Sequence, residues 1–304
     1  MNEKKNLISA SADILRHHKR YVMWFYLLNL LFAWCGAGAF AASAHAMMDH
    51  SLYSDKLLHG MDVFVLLDLL FRPEFGPLQG PVASAMFFAL LFFLASLFFM
   101  PGMLLGYSSD HRISRDEFYR TCGHNVWRFL RVFLMYAVIG GIIASILFGI
   151  HAGLTKAVDQ SANDDRIPYF TNLGSLLIVF LGMTMVRAWF DLAQVDVVLR
   201  DQSATRKSVA AAFRMTKRHF GRLLGSYVLI AIAGVVVLWG GLWLWHAIVP
   251  PASVFGAFLV SQAMLLLLLA VRFWQRAAAV ALYLRESAEP AITAGTPALA
   301  ASAV

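Results

Sequence analysis

Charged residues are scarce in this 304-residue chain, in which Asp, Glu, Lys and Arg make up 14% of the sequence and apolar residues 60%. A soluble domain is about one quarter charged and about half apolar, so the scarcity of charge argues against a soluble fold. The two cysteines, Cys35 and Cys122, are too few for a disulfide framework. No phosphate-binding loop, nucleophile elbow or intramembrane protease pair is present, which gives no support to the enzyme classes that use those motifs.

Long apolar segments are abundant. Six are long enough to cross a bilayer, whose hydrocarbon core requires about 20 helical residues: 21–43, 82–105, 129–151, 168–190, 223–247 and 252–273. A shorter apolar run, 61–71, carries Asp62 and Asp68, so it is predicted to lie at the membrane interface. The sequence therefore predicts an all-α membrane protein with six transmembrane helices.

The first apolar segment resembles a signal peptide, because it follows a basic stretch and ends in Ala44-His45-Ala46. A cleaved signal peptide has an apolar region of about 7–15 residues, and segment 21–43 is longer than that. Cleavage would also leave an odd number of spans. We therefore expect this segment to be retained as the first transmembrane helix.

The distribution of basic residues predicts the orientation. With the amino terminus inside, the outside loops hold only four of the 25 Lys and Arg residues, Lys56, Arg72, Lys156 and Arg166. Basic residues concentrate on the cytoplasmic side of membrane proteins. The pattern predicts a bacterial inner-membrane protein with both termini in the cytoplasm, and it gives no reason to expect nucleic acid as a partner.

An internal repeat relates the ends of the fourth and sixth spans. Residues 186–201 and 271–286 align without gaps, and Trp189 matches Trp274. A weaker match relates the segments before the third and fifth spans, where Arg120 and Arg128 recur as Arg214 and Arg222. The predicted architecture is a single domain, 1–286, of three repeated units near 6–106, 112–201 and 203–286. Each unit is a cytoplasmic amphipathic helix followed by a transmembrane hairpin, and 287–304 is a disordered cytoplasmic tail.

The short helices before the hairpins are candidates for contact with lipid headgroups. In the second unit, Ser114 and Glu117 form a capping-box pattern at the start of such a helix. In the third unit the basic residues are Arg206, Lys207, Arg214, Lys217, Arg218 and Arg222. The simpler interpretation is that these are ordinary positive-inside anchors. The sharper one is a surface that binds anionic lipid, at about 1 kcal/mol per basic residue, or a partner's acidic patch.

The first outside loop contains side chains that ligate metals. They are His45, Asp49, His50, His59 and Asp62. Zinc or copper would suit these ligands. Their spacing matches no tight metal motif, however, and acidic residues are expected in an outside loop, so no cofactor is predicted.

Charged residues near the membrane are candidates for function by default. Here they are Arg187, Asp191 and Asp196 near the fourth span and Arg272 and Arg276 near the sixth. Asp191 and Arg276 occupy equivalent positions in the repeat with opposite charge, which suggests a pair between helices. A structural salt bridge is favoured over a substrate or proton route, because Arg187 lies about 20 residues from Pro168 and can extend its charge to the inner interface.

Pairs of small residues four apart occur at Gly102/Gly106, Gly149/Gly153 and Gly221/Gly225. Such pairs permit close approach of transmembrane helices and specify no activity.

The segments LRD (199–201), AAFR (211–214) and KRHFGRLLG (217–225) together resemble a recurrent bacterial pattern. It resembles the membrane domain attached to some glycerophosphodiester phosphodiesterases, and related multi-pass proteins. In those enzymes catalysis belongs to a separate soluble domain. The resemblance therefore implies a membrane module and supplies no catalytic residue.

These patterns favour a non-enzymatic membrane module that binds lipid or a partner protein, either another membrane protein or a second copy of the chain. One alternative is a small transporter or channel, in which the residues around Arg187 would line a polar cavity. The other is a metal-dependent membrane enzyme that uses the first outside loop.

Overall fold

The computed structural model describes residues 6–48, 79–109, 111–161, 166–250 and 253–293, and in these ranges every regular element is an α-helix. The eight helices described are α1 (Leu7–His17), α2 (Lys19–Met48), α3 (Gln79–Ser108), α4 (Arg115–Ser161), α5 (Arg166–Leu199), α6 (Thr205–Arg218), α7 (Phe220–Ile248) and α8 (Val254–Thr293). The predicted all-α fold class is confirmed for this part of the chain.

Six of these helices, α2, α3, α4, α5, α7 and α8, are long and apolar enough to cross a membrane. The first five contain the first five predicted spans, and α8 begins at Val254, just after the predicted start of the sixth span at 252. Six such helices fit a multi-pass membrane protein. Three extend well beyond the predicted apolar segment: α4 continues to Ser161, α5 to Leu199 and α8 to Thr293. The helix predicted at 61–71 and the last residues of the predicted tail, 294–304, lie outside the described ranges.

The segments predicted as short helices join the long apolar helices in two different ways. Between α1 and α2 the chain breaks only at His18 (φ −111°, ψ 26°), and between α6 and α7 only at His219 (φ −112°, ψ 27°). In the second predicted unit there is no such break, because α4 runs continuously from Arg115 into its apolar span. Its start has the predicted cap, in which the Glu117 backbone N–H donates to Ser114 Oγ at 3.2 Å.

The chain divides into two compact units. The larger unit comprises residues 1–18, 98–232 and 272–304, and the smaller unit comprises 19–97 and 233–271. In the smaller unit, Tyr26 Oη donates to Gln262 Oε1 at 3.0 Å and so joins α2 to α8. This is the helix-to-helix hydrogen bond expected of a polar side chain inside an apolar span.

The core of the larger unit lies where α5 and α8 approach their carboxyl-terminal ends. Ala188, Leu192 and Ala193 of α5 and the run 277–281 of α8 are buried. Four of the five residues in the α8 run are alanine, and such small side chains allow helix backbones to pack closely. Farther along α4, the exposed residues Val138, Ile142 and Ile146 recur every four positions, as expected of a face that contacts lipid.

Candidate functional site

The larger unit brings together four of the five charged residues predicted to form a cluster. Arg187 and Asp191 lie one turn apart on α5, and Arg272 and Arg276 lie one turn apart on α8. Asp191 is only 8% exposed. A carboxylate this deeply buried is unfavourable unless hydrogen bonds and opposite charges compensate it.

Two side chains approach the same carboxylate oxygen of Asp191, Oδ2. The Tyr227 hydroxyl on α7 donates a hydrogen bond to Asp191 Oδ2 at 3.0 Å. Arg187 Nε lies 4.0 Å from the same oxygen, at the edge of salt-bridge distance. Tyr227 is itself fixed, because it is fully buried and its backbone carbonyl accepts from Gln275 Nε2 at 3.4 Å. The carboxylate is therefore rigidly placed between α5 and α7.

The two arginines of α8 add further positive charge. Arg276 lies within electrostatic range of Asp191, Arg187 and Arg272. Its guanidinium is 5.7 Å from the centre of the Phe273 ring, and its Nε is buried without a hydrogen-bond partner among the described residues. Arg272 interacts electrostatically with Arg187 and Asp191. Three guanidinium groups thus interact electrostatically with one carboxylate, and only Arg187 is at the edge of salt-bridge distance, which leaves an excess of positive charge.

The expected pairing of Asp191 with Arg276 is only part of this arrangement. The two groups interact, but the hydrogen bond to Asp191 comes from Tyr227, which the sequence analysis did not single out. Tyr227 lies in an apolar stretch of α7, where hydropathy gives it no distinction from its neighbours.

Asp196, the fifth predicted member, belongs to a separate group. It is 3% exposed, its Oδ1 accepts from the Tyr283 hydroxyl at 2.9 Å, and it lies 3.3 Å from Arg200 Nε. These contacts hold the end of α5 against α8, so Asp196 has a structural role at that junction.

The predicted lipid-contact residues on and after α6 are all exposed; they are Arg206, Lys207, Arg214, Lys217, Arg218 and Arg222. The opposite side of α6 is buried at Val209, Ala212 and Thr216. A basic surface therefore follows this helix and is available to an anionic partner.

The predicted metal ligands cannot be assembled from the described part of the chain. Asp49, His50, His59 and Asp62 lie outside it, and for His45 it gives only a backbone position in α2. Among the described residues, no three His, Cys, Asp or Glu side chains are placed to hold a metal ion.

A further ion pair, absent from the sequence analysis, follows the end of α5. Asp201 Oδ1 accepts from Arg128 Nη1 and lies 3.0 Å from His124 Nε2, both on α4. The backbone of Asp201 is left-handed (φ 50°), a conformation common just after a helix and well tolerated by Asp. The Arg128 hydrogen bond, and secondarily that from His124, lower the pKa of Asp201 below its ordinary value of 3.8.

Replacement of Arg128 by glutamine should raise the pKa of Asp201 toward 3.8, because the largest cause of the lowered value is removed. Since the folded pKa lies below the unfolded one, the ion pair stabilises the fold fully above pH 3.8 and loses its effect as the pH falls through the folded value. A ¹³C NMR titration of the Asp201 carboxyl carbon measures the change. Arg120→Gln on the same helix is the control, and an equal shift in both variants would contradict the assignment.

No family model, curated protein or solved structure matches the chain. The resemblance to the membrane domain of the phosphodiesterases therefore stays a prediction, and the site must be interpreted from its own geometry.

Proposed function

We propose that the chain is a non-enzymatic module of the bacterial inner membrane that binds the phosphate of an anionic lipid. The proposal depends on one observation: Arg187, Arg272 and Arg276 all interact electrostatically with the single carboxylate of Asp191, and Arg187 lies 4.0 Å from it. One carboxylate cannot neutralise three guanidinium groups. A bound anion would neutralise the remaining positive charge.

Phosphate suits this group better than a simple halide would. Guanidinium is planar and offers several N–H donors in a fixed arrangement that matches the oxygens of a phosphate. The Nε of Arg276, which is buried and has no hydrogen-bond partner among the described residues, would supply one such donor. The negative charge of Asp191 reduces the repulsion between the arginines. Tyr227 holds that carboxylate in place.

The position along the helices favours a lipid as the source of the phosphate. Arg187 follows Pro168 by about 20 helical residues, roughly the thickness of the hydrocarbon core. This places the guanidinium groups at the depth of the headgroups of one leaflet. The exposed basic surface of α6 would contact the same leaflet and attract anionic lipid toward the site.

The orientation belongs to the same proposal. Because basic residues are concentrated in the segments that end the even-numbered spans, those segments and both termini are assigned to the cytoplasm. The arginine site then faces the inner leaflet, where bacterial anionic lipids would meet it.

The proposal includes the three repeated units predicted from the sequence, and hydrogen bonds made by two tryptophans support them. Trp189 Nε1 donates to the backbone carbonyl of Val209 on α6 at 2.8 Å. Trp274 Nε1 donates to Ser11 Oγ on α1 at 2.9 Å, and that hydroxyl donates to the backbone carbonyl of Ile8. Val209 lies ten residues before the helix break at His219, and Ile8 lies ten residues before the matching break at His18. The two carbonyl groups therefore occupy equivalent positions in the proposed units.

Each matched tryptophan therefore joins the end of one hairpin to the short helix of another unit. Between the first and second proposed units the contact is aromatic: Phe99 of α3 stacks on Phe118 of α4, with ring centres 6.3 Å apart. Three hairpins require an even number of membrane crossings, so reporters placing the two chain ends on opposite sides would contradict the repeat.

Lipid binding should fall about tenfold or more when either Arg272 or Arg276 is replaced by glutamine, since each charge-assisted hydrogen bond contributes about 1.5–3 kcal/mol. Native mass spectrometry of the protein titrated with phosphatidylglycerol and phosphatidylcholine measures the effect. The wild type should retain phosphatidylglycerol preferentially.

Arg166→Gln is the matched control, because Arg166 lies on α5 at the opposite end of the helix from Arg187. It should bind phosphatidylglycerol within about twofold of the wild type. Unchanged binding in Arg272→Gln and Arg276→Gln, with both proteins folded, would overturn the proposed function.

A further inference from the structure

A cavity of about 610 Å³ lies in the larger unit, apart from the arginine site. Its walls come from the ends of α3 and α5, from α6 and from the last turns of α8. The polar lining includes Arg200, Glu286, Tyr283, Ser108 and Ser287, and the remainder is apolar. The volume is within the range of pockets that bind small molecules, about 300–1,000 Å³.

One wall presents a fixed positive charge. Arg200 Nε lies 3.3 Å from Asp196 Oδ1, and its guanidinium carbon lies 5.9 Å from the centre of the Tyr283 ring. Asp196 is itself buried and bound by the Tyr283 hydroxyl. The ion pair engages Nε and orients the guanidinium, whose terminal nitrogens can donate to an anionic group in the cavity.

Another part of the wall presents a carboxylate. Glu286 Oε1 lies 2.6 Å from His219 Nε2, and Glu286 Oε2 lies 3.8 Å from Arg218 Nη1. Two hydroxyl groups accompany it in the lining. Ser108 Oγ donates to the Leu105 carbonyl and Ser287 Oγ donates to the Tyr283 carbonyl, so their oxygens remain able to accept hydrogen bonds.

From this geometry we infer a second binding site, for a small zwitterion that carries a phosphate and an ammonium group. Arg200 binds the phosphate, and Glu286 with the two serine hydroxyls accepts hydrogen bonds from the ammonium. The apolar part of the lining covers the carbon chain between the two charges. A ligand with only one charge satisfies only one part of this wall.

Two sources can supply this chemistry. One is the headgroup of an ethanolamine phospholipid, and the other is a free phosphorylated amine in the cytoplasm. The site is independent of the arginine cluster on α5 and α8, since the two share no residue. Binding at one can therefore fail while the other persists.

Isothermal titration calorimetry of the full-length protein tests the site with phosphoethanolamine, ethanolamine and inorganic phosphate. Phosphoethanolamine should bind at least about tenfold more tightly than either single-charge compound, because it alone engages both parts of the wall. A short-chain phosphatidylethanolamine, compared with a short-chain phosphatidylglycerol, tests the lipid source. Preference for phosphoethanolamine, for the ethanolamine lipid or for both supports the inference.

Arg200→Gln and Glu286→Gln should each weaken the preferred zwitterion about tenfold or more, whereas Arg166→Gln, at the other end of α5 from the cavity, should stay within about twofold. Thermal unfolding of each variant separates loss of binding from loss of fold. If either cavity variant fails to fold, the affinities of the wild-type protein for the three small-molecule probes still test the inference. Equal binding of phosphate and phosphoethanolamine without a preference for the ethanolamine lipid, or binding of neither zwitterion, overturns the inference.

Discussion

Replacement of Asp191 by leucine is expected to lower the free energy of unfolding by about 3–5 kcal/mol, because it leaves three arginines without their shared carboxylate. Asp191 is buried, and only Arg187 of the three is shown within salt-bridge distance. Removal of one member of a buried ion pair is more destabilising than removal of the whole pair, since the partner is left without compensation. Reversible unfolding in mixed micelles measures the change.

The control for this prediction is a double-mutant cycle. Arg276→Leu in the Asp191→Leu background should restore part of the lost stability, because it removes one of the uncompensated charges. Tyr227→Phe should have a smaller effect, about 1.5–3 kcal/mol, since it removes only one hydrogen bond to the carboxylate. If Asp191→Leu unfolds like the wild type and shows no coupling to Arg276→Leu, the electrostatic account of the cluster is wrong.

Gly102→Ala is the second change with a large expected effect. A Cβ at this position would lie 2.6 Å from Phe118 Cε2 and 2.7 Å from Cys122 Sγ. Cys122 is completely buried and Phe118 stacks on Phe99, so neither side chain can move away without disturbing its neighbours. Overpacking of this kind typically costs about 1–3 kcal/mol. A lower midpoint of thermal unfolding is the expected observation.

Gly123→Ala supplies the matched control. Gly123 lies on α4 next to Cys122, is exposed, and has no atom within 4 Å of a built Cβ. Alanine there should stabilise the helix by as much as about 1 kcal/mol, because glycine is the poorer helix former. The two substitutions should therefore shift stability in opposite directions. A shift in the same direction would contradict the close packing of α3 on α4.

Hydropathy predicted the six apolar helices because a membrane span is a property of one continuous segment. The capping pattern at Ser114 was also local, and the structure contains the expected hydrogen bond to the Glu117 backbone. Small-residue spacing was less informative. Gly102 lies against Phe118 and Cys122, but a Cβ built on Gly149, Gly153, Gly221 or Gly225 meets no atom of the described residues within 4 Å. A pair of glycines permits close approach, and only the packing partner decides whether it occurs.

The candidate site was predictable only in part for a similar reason. The predicted repeat aligned Asp191 with Arg276, which suggested a charged pair between α5 and α8. The contribution of Tyr227 depends on how α7 is rotated against α5, and no local pattern reports that rotation. The same holds for Arg128 and Asp201, which are distant in sequence and meet only in the folded chain.

The central claim is that the arginine site faces the inner leaflet. This requires the carboxyl-terminal ends of α5 and α8 to lie on the cytoplasmic side of the membrane. Alkaline phosphatase and fluorescent-protein reporters, each fused after Ala162 and after Ala211, measure it directly. We predict that Ala162 lies outside, where the phosphatase is active, and that Ala211 lies inside, where the fluorescent protein is active. Finding both positions on one side of the membrane, or the two reversed, would contradict the account.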